Sequence, residues 1–166
     1  MNSAVKKLRL EKVTYANYDE ILKLCVSEEQ AEFVADNEFS LVDAYLTIAD
    51  ERHVFPFGIY NGDEPVGFIM LSYDYVDDIE ETPAVSHGNY LLWRFMIDKD
   101  QQQKGYGREA IKLALDFMRT SPCGKADYCW LSYEPENRVA SALYRSVGFV
   151  ENGEKCGDEI VAVIKL

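Results

Sequence analysis

The stretch Trp93–Arg108, WRFMIDKDQQQKGYGR, decides how the rest of this chain is arranged. Its first five residues close an apolar run that begins at Tyr90, and such a run is typical of a central strand covered on both faces. The glycine-containing segment Gln102–Gly107 follows, and an amphipathic pattern begins directly after it. Because the first N–H groups of a helix lack a partner and carry partial positive charge, this segment predicts a turn that binds a diphosphate.

Hydrophobic periodicity on both sides of this stretch predicts an alternation of strands and helices. The strands are expected at Leu8–Val13, Phe55–Tyr60, Val66–Tyr73, Asn89–Ile97, Tyr128–Tyr133, Phe149–Cys156 and Ile160–Lys165. The helices are expected after Asn17, from Ser40, from Gly107 to Arg119 and from Asn137 to Val147, where Gly148 ends the last one.

Local signals indicate where several of these elements begin. Asn17 with Glu20 resembles a capping box, and Ser40 with Asp43 opens the second helix. The dipeptide Asn61-Gly62 predicts the hairpin turn between the second and third strands. The inward stripe of the second helix is expected to be Leu41, Ala44, Tyr45 and Ile48, and that of the third Ala110, Leu113, Ala114, Phe117 and Met118.

The order strand, helix, strand, helix between Leu91 and Val147 predicts a parallel strand pair with a right-handed crossover. The hairpin and the terminal strands add antiparallel members. The sequence therefore predicts an α/β fold with a mixed, twisted sheet of about six to seven strands. With 166 residues and no linker-like segment, residues 1–166 are expected to form a single domain.

Composition narrows the range of partners. The net charge of −12 argues against nucleic acid and anionic membranes, and no apolar run is long enough to span a bilayer. A field of this sign concentrates cations, so a cationic small molecule is the expected partner. The four cysteines have neither CxxC spacing nor a nearby histidine, so we expect free thiols, no metal site and a cytoplasmic location.

Two motifs together resemble the GNAT family of N-acetyltransferases. The first is Gln102–Gly107, which matches the pattern [QR]-x-x-G-x-[GA] of that family's pyrophosphate loop and has glutamine where arginine is commoner. The second is N-x-x-A-x-x-[LF]-Y-x-x-x-G-F, matched at Asn137, Ala140, Leu143, Tyr144, Gly148 and Phe149. The resemblance covers about Leu91–Phe149 closely and the rest of the chain in outline.

This resemblance implies acetyl-CoA as the cofactor, a cofactor wedge between splayed central parallel strands, helices on both faces of the sheet and a homodimer. The residues that it assigns to acetyl-CoA are Phe95, Met96, Ile97, Gln102, Gln103, Lys104, Gly105, Tyr106, Gly107, Arg108 and Asn137. Lys104 and Arg108 supply the positive charge that phosphate groups require.

The reaction of such a site is attack of a neutral amine on a thioester. The departing thiolate needs a proton, and the resemblance assigns the general acid to Tyr144. The resemblance does not identify the general base. Animal polyamine acetyltransferases of the family carry a glutamate nine residues before the loop, where this chain has Trp93. A base is needed because an alkyl ammonium with a pKa near 10.4 must lose a proton before attack. The possible substitutes are Glu134, His87 or a chain of water molecules.

The acceptor is indicated by a second likeness. The segment Gln30–Ser40 matches the pattern Q-x-x-F-V-A-x-N-x-x-S of the bacterial spermine/spermidine acetyltransferases. A polyamine needs carboxylates on two walls of a groove. One predicted wall is the acidic segment with Glu28, Glu29, Glu32, Asp36 and Glu38, and the other is the loop with Asp74, Asp77, Asp78, Glu80 and Glu81. Trp93 and Glu134 complete the predicted acceptor residues.

The sequence is compatible with three functions. The first is a polyamine N-acetyltransferase. The second is an N-acetyltransferase for another small amine, an aminoglycoside or a protein N-terminus. The third is a non-catalytic acetyl-CoA-binding module, against which the intact glycine loop and Tyr144 argue.

Overall fold

The computed structural model describes residues 7–77 and 81–166 of the chain. Its strands are β1 (Leu8–Lys12), β2 (His53–Asn61), β3 (Glu64–Tyr73), β4 (Tyr90–Ile97), β5 (Tyr128–Tyr133), β6 (Val150–Cys156) and β7 (Glu159–Lys165). Its α-helices are α1 (Tyr18–Leu22), α2 (Asn37–Ala49), α3 (Tyr106–Arg119) and α4 (Arg138–Val147), and short 3-10 helices cover Glu28–Gln30, Ala84–Ser86 and Lys99–Gln101.

The described strands form one seven-stranded sheet in the order β1-β2-β3-β4-β5-β7-β6. Strands β4 and β5 pair in parallel and every other neighbouring pair is antiparallel. The predicted mixed α/β sheet is therefore confirmed, and β4 lies at its centre because its apolar run can be covered on both faces.

Within the described part of the chain, three clusters of buried side chains cover the sheet, and the smallest consists of Leu91, Trp130 and Val161. On one face α3 and α4 pack over the central strands, with Ile111, Leu115 and Met118 among the buried side chains. On the other face Ile21 of α1 and Ala44 of α2 pack on β2 and β3. None of the helices within the described residues is long and apolar enough to cross a membrane.

Several predicted boundaries are wrong for physical reasons. The capping box at Asn17 does not form, because the Asn17 side chain accepts from Thr14 N and donates to Lys12 O instead. Helix α2 begins at Asn37, not at Ser40, because Asp36 caps it by accepting from Phe39 N at 2.7 Å. The hairpin turn is Gly62-Asp63, since Asn61 still pairs with Glu64.

The predicted inward stripe of α2 is only half right. Leu41 and Ala44 face the core, but Tyr45 is 70% exposed and Ile48 is 58% exposed. In α3 the buried set includes Ile111 and Leu115, whereas Leu113 and Phe117 are only partly buried against the same core. All four cysteines are free thiols, and Cys129 is buried while Cys25 is exposed.

Candidate active site

The centre of the sheet opens into a wedge between β4 and β5. The two strands pair only at Tyr90 with Cys129 and at Leu91 with Trp130. The register with β3 shifts within β4, from Arg94 opposite Met70 to Leu92 opposite Leu71, so Trp93 is an extra, bulged residue. A bulge bends its strand and increases the local twist. Beyond Leu92 the edge of β4 that faces β5 therefore has no strand partner.

A cavity of about 610 Å³ occupies this wedge. We call it the donor cavity. It is lined by Leu91–Ile97 of β4, by the segment Gln102–Gly107 (the glycine loop), by the end of β5 and by the inner face of α4. The N-terminal segment contributes Val26, Gln30, Phe33 and Val34.

The glycine loop presents unpaired N–H groups to the donor cavity. Gly105 is the N-cap of α3 with φ of +82°, and no side chain caps this helix. The first backbone bond of α3 runs from Glu109 N to Gly105 O, so the N–H groups of Tyr106, Gly107 and Arg108 have no acceptor among the described residues. Such a helix start is suited to bind phosphate oxygens.

The side chains of the loop have different surroundings. Lys104 is exposed and its ammonium donates to Asp100 O and Gln101 Oε1. Arg108 is exposed and makes no ion pair with any residue that the structure describes. Gln103 is exposed with φ of +63°. The Arg108 guanidinium is therefore available to an anion.

Gln102 has a different role from a simple anion ligand. Its Nε2 donates to Gln30 Oε1 at 2.7 Å and to Ile97 O at 3.0 Å. One side chain therefore ties the loop both to the end of β4 and to the N-terminal segment 72 residues away.

The β4 residues predicted to hold the cofactor alternate between the two faces of the sheet. Phe95 and Ile97 pack on the α3 and α4 side, whereas the Met96 side chain is buried in the core beneath α1 and α2. Asn137 lines the donor cavity, and its Oδ1 caps α4 by accepting from Ala140 N at 3.1 Å.

Tyr144 lies on α4 with its ring against Tyr133 and Phe149. The residue is 9% exposed and lines the donor cavity. Burial raises the pKa of its phenol, and the negative charge of Glu159 raises that pKa further. The phenol therefore stays protonated and can act as a proton donor.

A second cavity of about 880 Å³ adjoins the first. We call it the acceptor cavity. Among the described residues, its lining contains five carboxylates, Asp77, Glu134, Glu136, Asp158 and Glu159, and the two cations Arg94 and Lys155. Arg94, Glu134 and Glu159 line both cavities, so the two spaces meet at these side chains.

The structure brings only part of the predicted acceptor set to these cavities. Asp77 and Glu134 line the acceptor cavity, and Trp93 lines the donor cavity with its ring 4.9 Å from that of Tyr75. Glu32 and Glu38 are exposed away from both cavities, and the carboxylate of Asp36 caps α2.

The predicted acidic loop after β3 also has only some of its carboxylates at the cavities. Asp74 accepts a hydrogen bond from Gly88 N at 2.8 Å and lines neither cavity. Asp78 lies outside the described residues. His87, one of the three substitutes for a base, is exposed near Asp74 and also lines neither cavity. Of the two side chains predicted as a substitute base, Glu134 therefore reaches the wedge and His87 does not.

Sequence reasoning missed Glu136, Asp158, Glu159 and Arg94. Glu159 opens β7 opposite Cys156, and the antiparallel register of Tyr133 with Ile160 sets it beside the end of β5. The signal in the sequence was the charged pair Asp158-Glu159 directly before the apolar run Ile160–Ile164.

Comparison with known proteins identifies related chains. The model of the Acetyltransferase (GNAT) family matches residues 18–149. The probable spermine N(1)-acetyltransferase of Bacillus subtilis subsp. natto (strain BEST195) is 32% identical over 148 residues, which are 89% of this chain and 90% of that protein.

Solved structures show the same fold at lower identity. The spermidine N-acetyltransferase of Vibrio cholerae, in complex with CoA and spermine, has a TM-score of 0.65 and 20% identity, covering 96% of this chain and 95% of that one. The aminoglycoside acetyltransferase AAC(6')-Ib, in complex with coenzyme A, has a TM-score of 0.75 and 17% identity over the same shares. The chain thus belongs to the GNAT family, and it is an N-acetyltransferase that uses acetyl-CoA.

Proposed function

We propose that this protein transfers the acetyl group of acetyl-CoA to a primary amine of a polyamine such as spermine or spermidine, by direct attack in a ternary complex. The observation that carries the proposal is the acceptor cavity, where five carboxylates outnumber two cations next to the donor cavity. The name of the 32% identical relative supports the same acceptor.

The acceptor cavity suits an extended polycation. Glu136, Asp158 and Asp77 line only the acceptor cavity, while Glu134 and Glu159 stand where the two cavities meet. Carboxylates at both ends of the space can hold one ammonium group while another amine of the same molecule reaches the wedge. Each such charge-assisted hydrogen bond contributes about 1.5–3 kcal/mol at best, and less where the pair is exposed to solvent.

The donor cavity fits the diphosphate and the pantetheine arm of acetyl-CoA. The unpaired N–H groups of Tyr106, Gly107 and Arg108 and the Arg108 guanidinium would hold phosphate oxygens. A side chain at Gly107 would meet Leu143 Cδ2 at 3.2 Å, so glycine at this position allows the start of α3 to pack closely on α4. The free edge of β4 at Phe95–Ile97 would supply donors to the pantetheine amides and to the oxyanion.

Acetyl-CoA supplies the activated acetyl group as a thioester. Tyr144 donates the proton that the departing sulfur requires, because a tyrosine phenol is protonated at neutral pH and this one lines the donor cavity. Glu134 and Glu159 orient the acceptor amine at the junction of the two cavities. The homodimer and the cytoplasmic location expected from the sequence stay predictions.

The test is thiol release from acetyl-CoA with spermine, spermidine, putrescine, an aminoglycoside and a peptide offered separately. We expect fast turnover with the long polyamines. Turnover of the aminoglycoside or the peptide alone would replace the proposed acceptor. Absence of turnover with every amine, together with tight acetyl-CoA binding, would overturn the polyamine acceptor and leave the cofactor in place.

Paired substitutions test the acceptor cavity itself. Asp77→Asn and Asp158→Asn should each raise KM for spermine by about 3–10-fold and leave KM for acetyl-CoA nearly unchanged. Asp74→Asn is the matched control, because Asp74 carries the same charge on the same loop as Asp77 but lines neither cavity. Equal effects of Asp74→Asn and Asp77→Asn would show that the cavity does not bind the polycation.

A further inference from the structure

The general base of this enzyme has no assignment from sequence motifs, and two carboxylates compete for it. Glu134 and Glu159 are the carboxylates that line both cavities within the described residues. Each can therefore face an acceptor amine at the place where it would meet the thioester. Their surroundings differ, and that difference separates the two.

Glu159 is held in place from two sides. It is the first residue of β7, opposite Cys156, next to the turn Gly157-Asp158. Its Oε2 accepts a hydrogen bond from the Ser132 hydroxyl on β5. Both residues are half-buried, but no hydrogen bond within the described structure holds the side chain of Glu134. A base must be positioned as well as basic, and Glu159 meets the first requirement.

Glu159 is also electrostatically coupled to the acid. Tyr144 lines the donor cavity with Glu159, and the negative charge of Glu159 contributes to the raised pKa of the phenol. Pairs of titratable groups whose protonation states are kept apart in one site are typical of acid and base partners. Glu134 is not among the groups that raise the pKa of Tyr144.

We propose that Glu159 is the general base of the acetyl transfer, positioned by Ser132 and acting opposite Tyr144. The assignment concerns any primary-amine acceptor, so it stands or falls independently of the proposed polyamine substrate. It gives the enzyme a base on β7 in place of the carboxylate that position 93 of β4 lacks.

The proton balance of the proposed step is complete. Glu159 takes one proton from the acceptor ammonium and passes it to solvent. The neutral nitrogen then forms a C–N bond with the acetyl carbon while the C–S bond breaks. Tyr144 gives its proton to the sulfur, and the second proton of the nitrogen replaces it on the phenol. One proton is released per turnover, as acetylation of an ammonium by a thioester requires.

Charged groups surround Glu159 in the acceptor cavity. The cations that line the same cavity are Arg94 and Lys155, and the carboxylates are Asp77, Glu134, Glu136 and Asp158. Arg94 is paired with Asp43 at 3.3 Å and its guanidinium lies over the Trp93 ring. Among the described residues, the other titratable groups that line the two cavities are Tyr75, Cys156, Tyr106, Arg108, Tyr133 and Tyr144. The ammonium of the acceptor joins this set on binding.

The decisive variant is Glu159→Gln, compared with Glu134→Gln. At neutral pH we expect Glu159→Gln to lower kcat by about 10²–10⁴-fold. Its kcat should keep rising by about tenfold per pH unit toward the amine pKa near 10.4, because the variant depends on amine that is already neutral, whereas wild-type kcat levels off at lower pH. With a weakly basic acceptor such as 2,2-difluoroethylamine the loss should be less than about tenfold.

A readout without acetyl-CoA accompanies the kinetics. The phenol of Tyr144 should ionise at lower pH in Glu159→Gln than in wild type, seen as the ultraviolet difference between each protein and its Tyr144→Phe counterpart. Ser132→Ala is the milder variant, which should lower kcat by about 3–10-fold with the same change in pH profile. If Glu159→Gln does not fold, the kcat and the pH profile of Ser132→Ala still test the assignment.

Two outcomes would overturn the assignment. If Glu134→Gln shows the pH-dependent loss and Glu159→Gln retains the wild-type profile, Glu134 is the base. If Glu159→Gln loses equal activity with strongly and weakly basic amines and its pH profile is unchanged, Glu159 has only a structural role. Asp158→Asn, which changes a carboxylate of the acceptor cavity alone, should instead act mainly on KM for the acceptor.

Discussion

The side chain of Gln102 donates a hydrogen bond of 2.7 Å to Gln30 Oε1, joining the glycine loop to the 3-10 helix that precedes α2. The same Nε2 donates to Ile97 O at 3.0 Å. Phe33 and Val34, which follow this helix, line the donor cavity. The hydrogen bond therefore connects the phosphate-binding end of the cavity with the segment that covers it.

Gln30→Ala should weaken acetyl-CoA binding by about 2–10-fold, because a hydrogen bond of this kind contributes about 0.5–1.5 kcal/mol. The Kd is measured by calorimetry on wild type, Gln30→Ala, Gln102→Ala and the double variant. The two losses should be non-additive, since both variants remove the bond between Gln30 and Gln102, although Gln102→Ala also removes the bond to Ile97 O. Glu29→Ala is the control, from an exposed residue of the same 3-10 helix. Additive losses would show that Gln30 does not act through Gln102.

Tyr144→Phe should lower kcat by about 10–1000-fold while KM for acetyl-CoA changes little, because only the phenol proton is lost and the ring stays packed on Phe149. Steady-state kinetics at saturating amine measure the effect. Tyr128→Phe, on β5 but outside both cavities, serves as the control. A wild-type rate in Tyr144→Phe would remove the acid assignment.

The stability of the protein should fall in alkaline solution partly through Cys129. Burial raises the pKa of this thiol in the folded state, whereas an unfolded thiol ionises from about pH 8.5. The folded state therefore holds one more proton above that pH. The stabilisation is fully present below about pH 8.5 and decreases by about 1.4 kcal/mol per pH unit until the raised folded pKa is reached.

Urea unfolding at several pH values measures this slope. Cys129→Ala should lower stability at neutral pH through loss of packing, but its free energy of unfolding should fall less steeply above about pH 8.5. Cys25→Ala, at an exposed position, should keep the wild-type slope. Tyr144 adds a similar decrease above about pH 10, the ordinary pKa of tyrosine, because burial raises its folded pKa as well. Identical slopes for wild type and Cys129→Ala would show that the thiol is accessible to base in the folded state.

Asn137→Ala should lower the free energy of unfolding by about 0.5–2 kcal/mol, because it removes the cap that accepts from Ala140 N. Since α4 carries Tyr144, kcat should also fall. Asn137→Ser keeps a capping oxygen and should recover most of the stability. If Asn137→Ser restores stability but not affinity for acetyl-CoA, the Asn137 amide contacts the cofactor in addition to capping the helix.

Much of the fold followed from local pattern. The bounds of β5 and the glycine stop of α4 at Gly148 were predicted correctly, because strand periodicity and a left-handed residue are properties of short segments. Local signals misled where tertiary contacts offered a better partner. The Asn17 side chain bonds Thr14 N and Lys12 O instead of pairing with Glu20. Asp36 caps α2, which was expected to begin at Ser40.

The sequence by itself determined the α/β class, the parallel β4–β5 pair, the glycine turn and the tyrosine on α4, because each depends on spacing within one element or between neighbours in the chain. Only the tertiary structure decided which carboxylates meet in the acceptor cavity. Glu159 lies at the wedge because β7 inserts between β5 and β6. Asp74 does not line it, because its side chain is bonded to Gly88 N. Charge can be read along a chain, but the direction in which a carboxylate points is set by strand register and by the hydrogen bonds that hold it.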